Sequence, residues 1–162
     1  MPLCKSRNTA KNRLFSCLLV LCLLTITLNS CNQKKQDISP VDCVRSMLEA
    51  KKDNDVQVYN EMFYYTADEK DLGVINLTIN RIEESEEDTQ WFINNYSDSE
   101  LAKSREWTND FISGVVAVKA FFTVDYDNTV VPHNEGDISQ VFYVVKDPDT
   151  GLWKILECQS PR

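Results

Sequence analysis

The feature that most limits what this chain can fold into is an uncharged, mostly apolar run, Leu14 to Leu28 (LFSCLLVLCLLTITL). It ends just before the polar stretch Asn32-Gln33-Lys34-Lys35-Gln36-Asp37. Its 15 residues are the length of a secretion-signal core and fall short of the roughly 20 that a membrane-spanning helix needs. The charge divides at the same place. Lys5, Arg7, Lys11 and Arg13 precede the run, whereas all 25 acidic residues follow Cys31. With those four cations removed from the 17 basic residues, 13 remain against 25 acidic ones, a formal charge of −12. A surface that acidic repels phosphate backbones and anionic headgroups, which argues against nucleic acid and against a polybasic membrane-surface mode. Any membrane contact has to come through another device.

Leu28-Asn29-Ser30-Cys31 resembles the lipobox of bacterial lipoproteins, with a large aliphatic residue three before the cysteine and a small residue immediately before it. Asn29 departs from the small or hydroxyl residue usual at its position. The resemblance implies cleavage before Cys31, a diacylglyceryl thioether on Cys31 and a domain held on the extracytoplasmic side of a cell-envelope membrane. Each buried methylene contributes roughly 0.8 kcal/mol, and two or more acyl chains anchor stably where one does not. The alternative is an uncleaved N-terminal anchor with Cys31 incidental, which places the domain on the same side. The expected organisation is a signal peptide over residues 1–30, a lipidated cysteine and polar linker over 31–38, and a single domain over 39–162, a size suited to one hydrophobic core.

Six cysteines suggest a disulfide scaffold until they are sorted. Cys4, Cys17 and Cys22 leave with the signal, Cys31 is taken by lipid, and Cys43 and Cys158 remain. Outside the cytoplasm such a pair can oxidise, and a bridge closing so long a loop would contribute on the order of 4 kcal/mol. Cys43, four residues after a helix cap at Ser39, otherwise packs as a small hydrophobe against Ile38. Strict alternation in the last strand sets Cys158 beside Leu156 and Lys154, away from Trp153 and Ile155. If the tryptophan face meets the helices, Cys158 looks outward, so the disulfide is disfavoured. Two isolated cysteines without a neighbouring histidine do not make a metal site.

Ser39 as cap, Pro40 at the first helical position, Asp42 three after the cap, and Val41, Val44, Met47 and Leu48 along one side predict an amphipathic helix. Asp55 then caps a second helix through Tyr65, and the two read as a helical hairpin. From Val74 the period changes: Ile75, Leu77 and Ile79 alternate with Asn76, Thr78 and Asn80, a half-buried strand closed by the polar run Glu83 to Asp88. A helix is expected around Asp98 to Glu106. Three strands follow, at Val115 to Tyr126, Ile138 to Lys146 and Leu152 to Cys158, the last two joined by a tight turn at Asp147-Pro148-Asp149-Thr150-Gly151. This order is α+β with a mostly antiparallel sheet of about four strands.

With the closing Gly151-Leu152-Trp153-Lys154-Ile155, the order resembles the nuclear transport factor 2-like superfamily over roughly residues 39–159. The resemblance implies a cone-shaped fold, a curved sheet wrapping an N-terminal helical hairpin and leaving a cavity at its open end. Members of that superfamily include enzymes and plain binding modules, so the fold does not decide the function.

Enzymes on such a fold need an acid or base pointing into the cavity. The only histidine, His133, lies with Glu135 and Asp137 in a strand connection where turn chemistry accounts for all three. Asp125-Tyr126-Asp127-Asn128 hints at a calcium loop, but the twelfth position is Gly136 rather than a bidentate glutamate. The run Glu83 to Asp88 reads as a solvated face. No phosphate loop, nucleophile elbow or zinc signature occurs in a chain with four glycines. Tyr59, Phe63, Tyr64, Trp91, Trp107 and Tyr126 either fill a core or line a ligand cavity. The leading expectation is a lipid-anchored binding or accessory domain with no catalytic residue, no metal and no cofactor. The alternative is a small-molecule enzyme or carrier using the cone cavity.

Overall fold

The computed structural model describes residues 38–161; the expected signal peptide, Cys31 and the expected linker up to residue 37 lie outside them. No helix among the described residues is long and apolar enough to cross a membrane.

Helix α1 spans Pro40–Lys52 and begins as its sequence dictates. Ser39 Oγ accepts from the Asp42 N–H at 3.1 Å, and Asp42 reaches back to the Ser39 N–H at 3.3 Å. Pro40 costs nothing at a position whose N–H has no helical partner. The apolar stripe Cys43, Val44, Met47, Leu48 is buried to within 2 % exposure. Helix α2 is shorter than expected, Val56–Glu61, capped by Asp55 at the Val58 N–H, 3.1 Å. Beyond it Met62 to Tyr64 leave the helix to run beside the last strand. Phe63 forms a parallel bridge to Ile155; Ile155 N–H donates to Met62 O at 2.9 Å, and Tyr64 N–H to Ile155 O at 2.8 Å.

Four strands, β1 Val74–Glu84, β2 Val116–Tyr126, β3 Gly136–Lys146 and β4 Trp153–Gln159, form one antiparallel sheet in the order β1-β2-β3-β4. The β3–β4 turn behaves as its residues require. Asp147 Oδ1 accepts from the Asp149 and Thr150 N–H groups, and Gly151 takes φ +68°, which suits glycine.

On one face of the sheet, Val116, Val118, Ala120, Phe122, Val124 and Tyr126 of β2 pack with α1, Leu77, Phe142 and Ile155. The alternation in β2 predicts this face residue for residue. In β1 it misleads at Ile75. A bulge between Val74 and Asn76 makes Ile75 an extra residue, so it is 70 % exposed while Leu77 and Ile79 turn inward.

Between β1 and β2 the chain builds three helices, α3 Glu86–Tyr96, α4 Glu100–Ser104 and α5 Asn109–Ser113. The single helix expected at Asp98 to Glu106 is corrected to α4, because Asp98 and Glu106 both take φ +57° and so bound it at either end. The acidic run is no closing loop. Ser85 caps α3, and Glu86, Glu87 and Asp88 occupy its first turn, where the helix dipole favours negative charge. These helices cover part of the opposite sheet face and create a second core of Phe92, Ala102, Trp107, Ile112, Val115, Ala117, Val141, Tyr143, Val145 and Leu156. Hence β3 is buried on both faces from Val141 to Val145 instead of on one.

Among the described residues Asp88 is the buried charged one, 3 % exposed. Its carboxylate accepts from Ser85 Oγ at 2.5 Å and meets Lys119 Nζ at 2.7 Å, tying α3 to β2. Such a pair adds little net stability over apolar packing, but removing one partner strands a buried charge at a cost of about 3–5 kcal/mol.

Candidate functional site

The residues singled out by the sequence do not converge. Cys43 is fully buried against β4, its Sγ 3.4 Å from Trp153 O, and burial pushes its thiol up to about 12. Cys158 is exposed, and both are free thiols. The face assigned to Cys158 needs correcting. A bulge at Leu156 pairs Val144 with Ile155 but Tyr143 with Glu157 and Phe142 with Cys158, so Cys158 returns to the Ile155 face, the face of Cys43. The two thiols nevertheless sit at opposite ends of α1. Partial desolvation raises the Cys158 thiol, opposed by the charge of Lys51 two helical turns beyond Cys43. From Trp153 to Cys158 the strand advances about 15 Å, whereas a disulfide needs Cα atoms within about 7 Å.

His133 is exposed and meets the Tyr126 ring edge-on at 5.1 Å. Glu135 accepts instead from Asn128 Nδ2 at 2.5 Å, and Asp137 from Thr123 Oγ1 at 2.7 Å. Asp127 closes a turn on the Thr129 N–H and hydroxyl, which hold its carboxyl below the usual range. Among the described residues no group of three or more His, Cys, Asp or Glu is placed to hold a metal ion.

The aromatic residues divide between the two faces. Tyr59, Phe63 and Tyr126 join the α1 side, while Tyr64, Trp91 and Trp107 join the α3–α5 side. Tyr59 packs on Phe63 at 5.1 Å, and burial raises its hydroxyl well above the usual range.

The α3–α5 side carries a depression that brings aromatic and charged groups together, lined by Tyr65, Ser104, Arg105 and Glu106. It follows from local structure. The Phe63 bridge to β4 delivers Tyr65 to the sheet edge; the end of α4 delivers Ser104 and Arg105; the left-handed backbone at Glu106 turns the chain down into Trp107. Trp107 is 7 % exposed and donates its indole N–H to Tyr65 Oη at 2.9 Å. The Arg105 guanidinium lies 5.1 Å from the Trp107 ring centre and 5.8 Å from that of Tyr65, and donates from Nη1 to Glu157 Oε1 at 3.0 Å. Glu157 also accepts from Tyr96 Oη at 3.4 Å, and Gln159 Nε2 donates to the same hydroxyl at 3.4 Å. Desolvation, then the Glu157 charge, raises the Tyr96 hydroxyl. Sequence reasoning weighed Trp107 and Tyr64 but missed Tyr65, Arg105 and Glu106. The available signal was Arg105-Glu106-Trp107, a charge pair leading directly into an aromatic anchor.

Comparison with family models, with curated proteins and with solved structures finds no match for this chain.

Proposed function

We propose that this chain is a bacterial lipoprotein, anchored through a diacylglyceryl group on Cys31, whose domain serves as a binding or accessory module on the extracytoplasmic side of the envelope. The observation that carries the reading is the sequence around Cys31: a basic start, an uncharged apolar run of 15 residues, Leu28-Asn29-Ser30-Cys31, and then an entirely acidic-biased body. Two or more acyl chains suffice to hold such a domain, which needs no spanning helix and no basic face. The membrane is then its partner through lipid alone.

A binding role rather than a catalytic one is favoured by the floor between α1 and the sheet. Met47, Leu48, Leu77, Phe122 and Phe142 pack there as one apolar cluster, and the buried carboxylate of Asp88 lies on the other side of the sheet, neutralised by Lys119. A perturbed acid or base facing a polar cavity is what an active site on this fold would require. The finer architecture, a helical hairpin under a curved, cone-forming sheet of the nuclear transport factor 2-like kind, is part of the same proposal. It is supported by the contacts of α1 with all four strands and by the bulges in β1 and β4, which bend strands.

The test is metabolic labelling of cells with a radioactive or alkynyl fatty acid. The wild-type chain should take up label and run as a processed species, and Cys31→Ala should lose the label and accumulate as precursor. Undiminished labelling of Cys31→Ala overturns the anchor.

A further inference from the structure

Resting on the reading of the domain as a binding module, we infer that the depression over Tyr65, Ser104, Arg105 and Glu106 is a subsite for a neutral oligosaccharide. Its volume of about 450 Å³ is in the range of ligand sites, yet it opens broadly to solvent. Its occupant therefore keeps much of its own surface wet, as a unit or two of a longer polar chain does and a small lipophilic molecule does not.

Tyr65 supplies the platform. It is the aromatic among the exposed large hydrophobics of the described residues, 49 % exposed, and it is held in place by the Trp107 indole on its hydroxyl and by the Tyr64 ring edge-on at 5.1 Å. A ring fixed before binding loses little rotamer freedom on binding. The apolar C–H face of a pyranose is matched to such a ring, and its rim is polar.

The polar groups select among ligand classes. Arg105 is a donor only and Glu106 an acceptor only, next to each other in sequence at the rim. Glu157 holds the guanidinium from behind, so Arg105 is oriented but its charge is largely answered. An anionic ligand meets Glu106, Glu157 and the acidic body; a cationic one, having no acceptor, leaves the donors of Arg105 unused. A peptide would add to the nearby edge of β4, but beside Ile155 that edge is already occupied by Met62 to Tyr64. A sugar hydroxyl is both donor and acceptor and satisfies an arginine and a glutamate side by side.

The experiment uses the full chain, isotopically labelled and purified in detergent, titrated by NMR with maltotetraose, cellotetraose and tetra-N-acetylchitotetraose. Tetra-aspartate and tetralysine serve as charged comparisons. The expected result is a saturable shift of the Trp107 indole and of the amides of Ser104 to Trp107 with one of the neutral probes, at a Kd on the order of 0.1–10 mM. Tyr65→Ala should weaken it about tenfold, which is ~1.4 kcal/mol, with the fold verified by native-like dispersion of the amide spectrum. Should Tyr65→Ala fail to fold, Arg105→Gln and Glu106→Gln carry the test, each expected to weaken binding about fivefold. The inference is overturned if no neutral probe gives a saturable shift at these residues, if the variants bind as tightly as the parent, or if a charged probe binds better. Binding in detergent does not depend on the lipid. Loss of sugar binding in a chain that still incorporates fatty acid removes only this inference, and failed labelling with intact sugar binding removes only the anchor.

Discussion

Replacing Phe92 with alanine is the most searching test of the two-core architecture. Its ring is completely buried in the layer between α3 and β3, with Tyr96 at 4.3 Å, Tyr143 at 4.5 Å and Trp107 at 6.1 Å between ring centres. Removing a fully buried phenylalanine costs about 3–5 kcal/mol through lost transfer energy and an unfilled cavity. The three aromatic contacts place Phe92 in the middle to upper part of that range, because each geometry-specific pair adds roughly 0.5–1.5 kcal/mol beyond area and the losses do not sum. A loss of ~4 kcal/mol against a total stability of about 5–15 kcal/mol leaves the variant marginal. With a urea slope of about 2 kcal/mol/M, the denaturation midpoint should fall by about 2 M, followed by near-ultraviolet circular dichroism, which reports the clustered rings. Val130→Ala, at a 47 % exposed site, is the control and should stay within about 0.5 kcal/mol. A Phe92→Ala loss below ~1.5 kcal/mol would refute the reasoning, since no fully buried ring at the centre of a packed layer can be removed so cheaply.

Ser39→Ala should lose about 1 kcal/mol by removing the cap of α1. It should also flatten the acid side of the stability profile: the Ser39 hydrogen bonds hold the Asp42 carboxyl below its usual 3.8, so their contribution is present above that value and lost as pH falls through the lowered one. Equal acid slopes in both proteins, measured by urea midpoints, would contradict this. At the alkaline side the Cys43 thiol, raised from 9.0 to about 12 by burial, contributes stability that is intact below pH 9 and lost as pH rises towards 12. Cys43→Ala should therefore decline less steeply over that interval, and a parallel decline would count against it. Iodoacetamide should modify exposed Cys158 well before buried Cys43 in the folded protein, with equal rates by peptide mass analysis as the contrary result.

How much of this was legible in the sequence depends on how far each signal is local. The α1 cap is carried by four adjacent residues and reads directly. Strand β2 reads well because one face is apolar without exception over Val116 to Tyr126. Period-two reasoning fails where a strand gains a residue. The bulge at Ile75 sends a large aliphatic outward, and the bulge at Leu156 moves Cys158 to the other face; neither carries a glycine or any other local mark. Helix α3 was obscured because Ser85 and Asp88, its cap and third residue, sit inside a run of acidic residues that resembles a solvated loop. The Tyr65 depression joins residues some 40 positions apart through the Phe63 bridge to β4, a contact with no sequence period to announce it.

The burial of β3 on both faces has a consequence for how the chain fares when it is not fully folded. Val141-Phe142-Tyr143-Val144-Val145 is a window of β-branched and aromatic residues with no charge, proline or glycine, the composition that assembles into stacked strands between molecules. In the native state one helical layer shields each side of it, and both neighbouring strands occupy its hydrogen-bonding edges. Detachment of α3–α5 alone bares Val141, Tyr143 and Val145 while β1 and β2 still hold the rest of the sheet in shape. The flanking Lys146-Asp147-Pro148 places a charge, an opposite charge and a strand breaker at the C-terminal end of that window, which limits its growth in that direction only. The layer of α3–α5 is thus what keeps the Val141, Tyr143 and Val145 side of that window covered.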